Sequence, residues 1–173
     1  QQMEKPYIKV TAGDVFEQIA PDHYQIRATD RKDYLHLLDV IGAERQNWAG
    51  KNVAPTLQIV HCWGYETDAP PLQTLEQLLS GQDRSLASLF CLIQALQQSN
   101  EAALPVRCLA VTSGAHSVDK HEICAPQKAA LSALLRSAAQ ETPWLVCSHV
   151  DFPMAANSEA QNQQLFLPMY KRD

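Results

Sequence analysis

Three short apolar runs constrain this chain more than anything else in it. They are Leu57-Gln58-Ile59-Val60-His61-Cys62-Trp63-Gly64, then Val106-Arg107-Cys108-Leu109-Ala110-Val111-Thr112-Ser113-Gly114-Ala115, then Trp144-Leu145-Val146-Cys147-Ser148-His149-Val150-Asp151. Each is too short for a core helix and is bounded by Pro or Gly, so each predicts a buried strand. Helix-patterned sequence separates them. Strands alternating with helices of this length imply β-α-β crossovers and a mainly parallel sheet. The run at 57–63 is expected to be the central strand. The class expected is α/β, a truncated Rossmann-like, doubly wound sheet with helices on both faces.

Read in order, residues 7–11 form one plausible strand, and 15–19 and 23–27 form two more around the turn signal Ala20-Pro21-Asp22. Asp30 is placed to cap a helix carrying Tyr34, Leu37, Leu38 and Ile41 on one stripe. Residues 42–56, rich in Gly, Asn and Pro, predict a loop. After the first long strand, residues 66–71 predict a turn. Leu72, Leu75, Leu78 and Leu79 then mark a short helix that Ser80-Gly81 should end. The next helix presents Leu86, Leu89, Phe90, Ile93 and Leu96 to the core. Pro126 sits where a helix welcomes proline, ahead of a buried face of Ala130, Leu131, Leu134, Leu135 and Ala138. Leu165-Phe166-Leu167, in an otherwise polar tail, predicts a last strand or the way into another domain.

At 173 residues the chain is long enough for one domain that buries most of its surface. A net charge of -5 argues against a nucleic-acid partner, which needs a basic stripe. No apolar stretch approaches the ~20 residues of a membrane span, and no secretory leader is evident, so a cytoplasmic protein is expected. The opening Gln1-Gln2-Met3 reads as a cut from something larger. The five cysteines, Cys62, Cys91, Cys108, Cys124 and Cys147, contain no Cys-x-x-Cys pair. They read as reduced thiols, those in the strand runs as small core hydrophobes. Cys62 in particular reads as buried and inert.

The chemistry usual in such a fold is missing. Binding a dinucleotide takes closely spaced glycines, so that the backbone can approach a pyrophosphate at a helix amino terminus. The six glycines, Gly13, Gly42, Gly50, Gly64, Gly81 and Gly114, never come as close as Gly-x-Gly. Short-chain reductases pair a Tyr with a Lys four residues on, the cation lowering the phenol's pKa. Tyr7, Tyr24, Tyr34 and Tyr65 are followed at that distance by Thr11, Ala28, Leu38 and Ala69, and Tyr170 by nothing. His116, Asp119, His121 and Glu122 gather polar groups in the loop at 112–125, but their spacing fits no compact metal motif, so a solvated loop is expected. Ser148, His149 and Asp151 hold the letters of a hydrolase triad; on a strand, however, Ser148 and His149 face opposite ways. His61 and His149 read as core or sheet-end residues.

The chain nevertheless resembles a known family. Ile59-Val60-His61-Cys62-Trp63 is similar to the Ile-Val-His-Leu-Trp strand in ketoreductase regions of modular polyketide synthases. Ser85-Leu86-Ala87-Ser88-Leu89-Phe90, with Gln94-Ala95-Leu96, resembles the family's following helix. Val111-Thr112-Ser113-Gly114-Ala115-His116-Ser117-Val118 resembles its Val-Thr-x-Gly-Ala-x-x-Val. Pro126-Gln127-Lys128-Ala129, Glu141-Thr142-Pro143 and Val150-Asp151 match the remaining helix and strand, and the stretch 16–38, with Tyr24 and Asp33-Tyr34, the entry. The part resembled is the structural, non-catalytic half of a ketoreductase, or a pseudo-ketoreductase of the short-chain dehydrogenase/reductase type.

That resemblance implies residues 1–14 as a lead-in, 15–153 as the structural subdomain and 154–173 as a tail or linker. It implies no catalytic, cofactor-binding or metal-binding residue in this chain, with NADPH held by a catalytic half. It also implies a scaffold whose partner is that catalytic subdomain or another adjoining polyketide synthase domain, with no nucleic acid or membrane partner. Two other readings stay open: an independent small enzyme using Ser113, His116, Asp119 and His121, and a homodimeric assembly element.

Overall fold

The computed structural model describes residues 7–48, 56–66, 74–99, 104–116 and 124–154. The amino-terminal part is a small mixed sheet in the order β1-β3-β2, built from β1 (Lys9–Ala12), β2 (Glu17–Ala20) and β3 (His23–Ile26). The Pro21-Asp22 turn makes β2 and β3 an antiparallel pair, while β1 runs parallel to β3 with Lys9 opposite His23. Helix α1 (Arg31–Trp48) starts where Asp30 predicts. The Asp30 carboxylate accepts from the Lys32 amide at 2.9 Å, satisfying a donor that the first turn leaves free. Tyr34 and Leu37 of the expected stripe are buried, and Leu38 and Ile41 pack against them.

The larger sheet has three parallel strands in the order β4-β5-β6: β4 (Leu57–Gly64), β5 (Val106–Ser113) and β6 (Leu145–Phe152). Between β4 and β5 the chain forms α2 (Leu75–Gln82), a π-turn over Asp83–Ala87 and α3 (Ser88–Ser99). Between β5 and β6 it forms a 3-10 turn, Pro126–Lys128, and α4 (Ala130–Glu141). One cluster holds the core. It joins Tyr24 and Ile26 of the small sheet, Tyr34 and Leu37 of α1, Leu89, Ile93 and Leu96 of α3, Leu131 and Leu135 of α4, and Val106, Cys108 and Ala110 of β5. On the other face of β5, Leu109 and Val111 join Phe152, with Tyr65 and Val150 packed against them. Truncating a fully enclosed side chain such as Leu89 would cost about 2–5 kcal/mol.

Several expectations need correction. β4 is not central: β5 lies between β4 and β6. β5 is buried on both faces except at Arg107, whereas β4 has alternate exposed positions, Val60 being 45% exposed. An apolar run reports that a strand has a buried face; how many neighbours it has is decided by pairing distant in sequence. Cys62, expected in the core, is exposed for the same reason, while Cys108 is buried and the described cysteines are all free thiols. Helix α1 continues through residues 42–48, read as loop; Gly42 and Ala43 are exposed, and an exposed helix position needs no apolar residue to keep its periodicity.

Ser80-Gly81 does not end a helix. The chain passes from α2 through the π-turn into α3 without a break, and the Ser85 hydroxyl donates to the Gly81 carbonyl at 2.7 Å. Phe90 is 46% exposed, and Leu92 takes a buried place instead; Ala130 is likewise exposed. The expectations for residues 49–55, 67–73 and 155–173 lie outside the described residues.

Candidate functional site

In parallel α/β sheets ligands approach the carboxyl ends of the strands. Here those ends carry two polar groupings. The first joins Glu66, just past β4, with Ser113 at the end of β5 and Lys128 in the 3-10 turn ahead of α4. Lys128 is only 2% exposed. Its ammonium donates to a Glu66 carboxylate oxygen at 3.2 Å, to the Ser113 carbonyl at 3.2 Å and, at a looser 3.4 Å, to Ser113 Oγ. An ammonium has three donors, and all three have acceptors. Ser113 Oγ donates to the Glu66 carbonyl at 2.6 Å and accepts from the Glu66 amide at 2.9 Å. The Lys128 ammonium and the Ser113 hydroxyl are both committed to other parts of the chain. The result is a latch across two strand ends and the α4 entry, with no donor turned outward to hold a phosphate. Next to it Gln127 is buried with its Oε1 unpartnered.

The second grouping lies between the ends of β5 and β6, where Thr112 stands opposite Asp151. The Thr112 hydroxyl donates to Asp151 Oδ1 at 2.6 Å, so the 2.8 Å contact from His149 Nε2 to Thr112 Oγ1 has the imidazole as donor. That fixes the His149 tautomer and leaves Nδ1 as a lone pair. Asp151 also accepts from the Ala115 amide at 3.0 Å and the His116 amide at 2.9 Å, holding the chain just after Gly114. Gly114 itself has φ 68°, a left-handed turn that suits glycine. Burial lowers the pKa of His149; Asp151 partly opposes this and His116 adds to it.

Of the residues singled out from sequence, Ser113 is buried and engaged in the latch. His116 is exposed, with its ring beside His149. Asp119, His121 and Glu122 lie outside the described residues. Ser148 is exposed while His149 reaches Thr112, so the Ser-His-Asp letters do not converge. His61 is buried, its Nε2 at 2.9 Å from Ser88 Oγ on the far side of the π-turn. Glu66, Thr112 and Lys128 are not singled out by sequence; the one available hint is a lysine two residues after Pro126, at the entry to an apolar helix. Among the described residues no group of three or more His, Cys, Asp or Glu is arranged to hold a metal. No helix among them is long and apolar enough to cross a membrane.

Comparison with known proteins adds to this. A family model described as "Beta-ketoacyl synthase-like, N-terminal" matches residues 1–171. No curated protein matches the chain. One similar solved structure is described as "Adenylation, ketoreductase, and pseudo Asub multidomain structure of a keto acid-selecting NRPS module". It is 21% identical, with a TM-score of 0.80 over 96% of this chain. Another, "crystal structure of an N-terminal ketoreductase from macrolactin assembly line", is 20% identical, with a TM-score of 0.61 over 86% of this chain. This chain spans 13% of the first of those proteins and 27% of the second. At these identities the likeness is one of fold.

Proposed function

The chain belongs to the Beta-ketoacyl synthase-like, N-terminal family, and from that premise we propose that it is the non-catalytic structural subdomain of an assembly-line ketoreductase. Its work is scaffolding: it packs against a catalytic ketoreductase half or another adjoining domain of a cytoplasmic multienzyme. The catalytic half holds NADPH and reduces a β-keto group on a carrier-bound acyl chain. Within this scheme residues 15–153 are the subdomain, 1–14 lead into it and 154–173 lead away. Its sheet is a truncated, doubly wound Rossmann-like unit.

The observation that carries this assignment is the Lys128 latch. At the strand ends where a nucleotide-binding relative would offer free donors, the ammonium and the Ser113 hydroxyl are occupied by Glu66 and by Ser113's own carbonyl. The fold likeness to proteins described as containing a ketoreductase supports it, as does the lack of Gly-x-Gly and of a Tyr with Lys four residues on.

The test has two arms. NADPH is titrated into the isolated chain and followed by fluorescence, and no saturable change is expected. The chain is then mixed with the catalytic half of a ketoreductase from the same assembly line, and light scattering is expected to show a one-to-one complex. Saturable micromolar NADPH binding, or a chain that ignores the catalytic half, would sink the assignment.

A further inference from the structure

We propose that His116 and His149 together form a binding site for a divalent transition-metal ion of the zinc type, with water completing the coordination. The two rings come from different elements, the turn after β5 and the strand β6, and their centroids lie 5.8 Å apart at an interplanar angle of 65°. Zinc binds imidazole nitrogen at about 2.0–2.1 Å, which places each ring centroid about 3.2 Å from the ion. Two rings sharing one ion in tetrahedral or slightly opened geometry therefore stand about 5–6 Å apart. The observed separation falls in that range.

The surroundings favour the same use. A metal-binding imidazole characteristically donates its other N–H to a carboxylate or an oxygen that a carboxylate orients. His149 does this through Nε2, Thr112 Oγ1 and Asp151 Oδ1, at 2.8 and 2.6 Å. Nδ1 is left bare. The same carboxylate holds the backbone of His116 through its amide at 2.9 Å. One aspartate thus orients the His149 ring through Thr112 and holds the backbone at His116. With its oxygens engaged by Thr112, Ala115 and His116, Asp151 acts as support and not as a ligand. Two protein ligands leave open positions, unlike the closed four-ligand sites that hold folds together.

Zinc titrated into the metal-free chain and followed by calorimetry should bind at one ion per chain. Cobalt in its place should give the visible absorption of a low-symmetry site. His116→Ala, at an exposed position, and His149→Gln, which keeps a donor for Thr112, should each weaken zinc at least about tenfold with the circular dichroism unchanged. Thr112→Val, removing only the orienting hydroxyl, should weaken it about tenfold. Absence of saturable zinc binding in the unmodified chain overturns the proposal. So does an affinity that survives both histidine substitutions and follows replacement of the other histidines.

Discussion

Lys128 and Glu66 form an ion pair that is closed on one side and open on the other. Their charged atoms are 3.2 Å apart, yet the lysine side chain is 2% exposed and the glutamate side chain 39%. The two ends of the pair therefore differ in what happens when a partner is removed. A carboxylate released at the surface regains water, whereas a buried ammonium without its carboxylate keeps only the Ser113 oxygens.

Glu66→Gln accordingly should be the costlier change, about 3 kcal/mol, since it leaves a buried ammonium without a counter-charge even though the amide still accepts from it. Lys128→Met should cost about 1–2 kcal/mol, because the Glu66 carboxylate turns to water and the Ser113 carbonyl loses a buried donor. Urea unfolding of both variants and of the double variant checks this. If Lys128→Met turns out to be the costlier change, the carboxylate is not what holds the buried ammonium.

Gly64 lies at the end of β4 against the β5 threonine of the second grouping. A Cβ at Gly64 would come within 2.9 Å of Thr112 Cγ2, a methyl group in a fully buried side chain. Gly64→Ala should therefore destabilise by about 1–3 kcal/mol through overpacking. Thr112→Ser removes that methyl and keeps the hydroxyl for Asp151. The Gly64→Ala, Thr112→Ser double variant should be more stable than Gly64→Ala alone, and a non-additive thermal-melt cycle is the readout.

What the sequence carries about this molecule is mostly what is local. The parallel strands, the helices between them, the Asp30 cap and the Pro21 turn all follow from short-range patterns. The rank of β4 within its sheet does not, because apolar character reports burial of a face and not the number of neighbours. The two polar groupings were hidden for a related reason. Lys128 and Glu66 are 62 residues apart and His149 and Thr112 are 37 apart, so no spacing rule links them. Searching the loop at 112–125 for ligands pairs His116 with His121; the fold pairs it with His149, a residue that looked like part of a strand core.

Asp33 joins the end of the small sheet to the first turn of α1. It accepts two side-chain bonds from Arg27, at 2.6 and 3.0 Å, and one from the Arg27 amide at 2.9 Å. The Arg27 side chain beside it lowers the Asp33 pKa, against the opposing effect of burial. The stability from this pair is therefore present above the ordinary aspartate pKa near ~3.9 and is lost as pH falls through the lower folded value. Asp33→Asn should lower the melting temperature at neutral pH and flatten the acid limb of the stability curve. A variant whose melting curve follows the unmodified chain at every pH would contradict this.

His61 should give the clearest pH signature. It is 7% exposed, and burial pushes its pKa down to about 4. Ser88 Oγ donates to the Arg84 carbonyl at 2.5 Å, so His61 must donate through Nε2, and its Nδ1 is buried with no partner. The folded chain thus holds a neutral imidazole, while the unfolded chain takes up a proton near pH ~6.5. The sign follows from that difference: stability is intact above pH ~6.5 and falls as pH drops toward 4, by about 3 kcal/mol in all from this group. The histidine ring signal of His61 in proton NMR should stay unshifted down to about pH 5. His61→Gln, which retains a donor for Ser88, should lose that slope between pH 6.5 and 4 even if it lowers stability overall. A slope that persists in the variant would assign the acid sensitivity to other groups and leave the π-turn contact with no part in it.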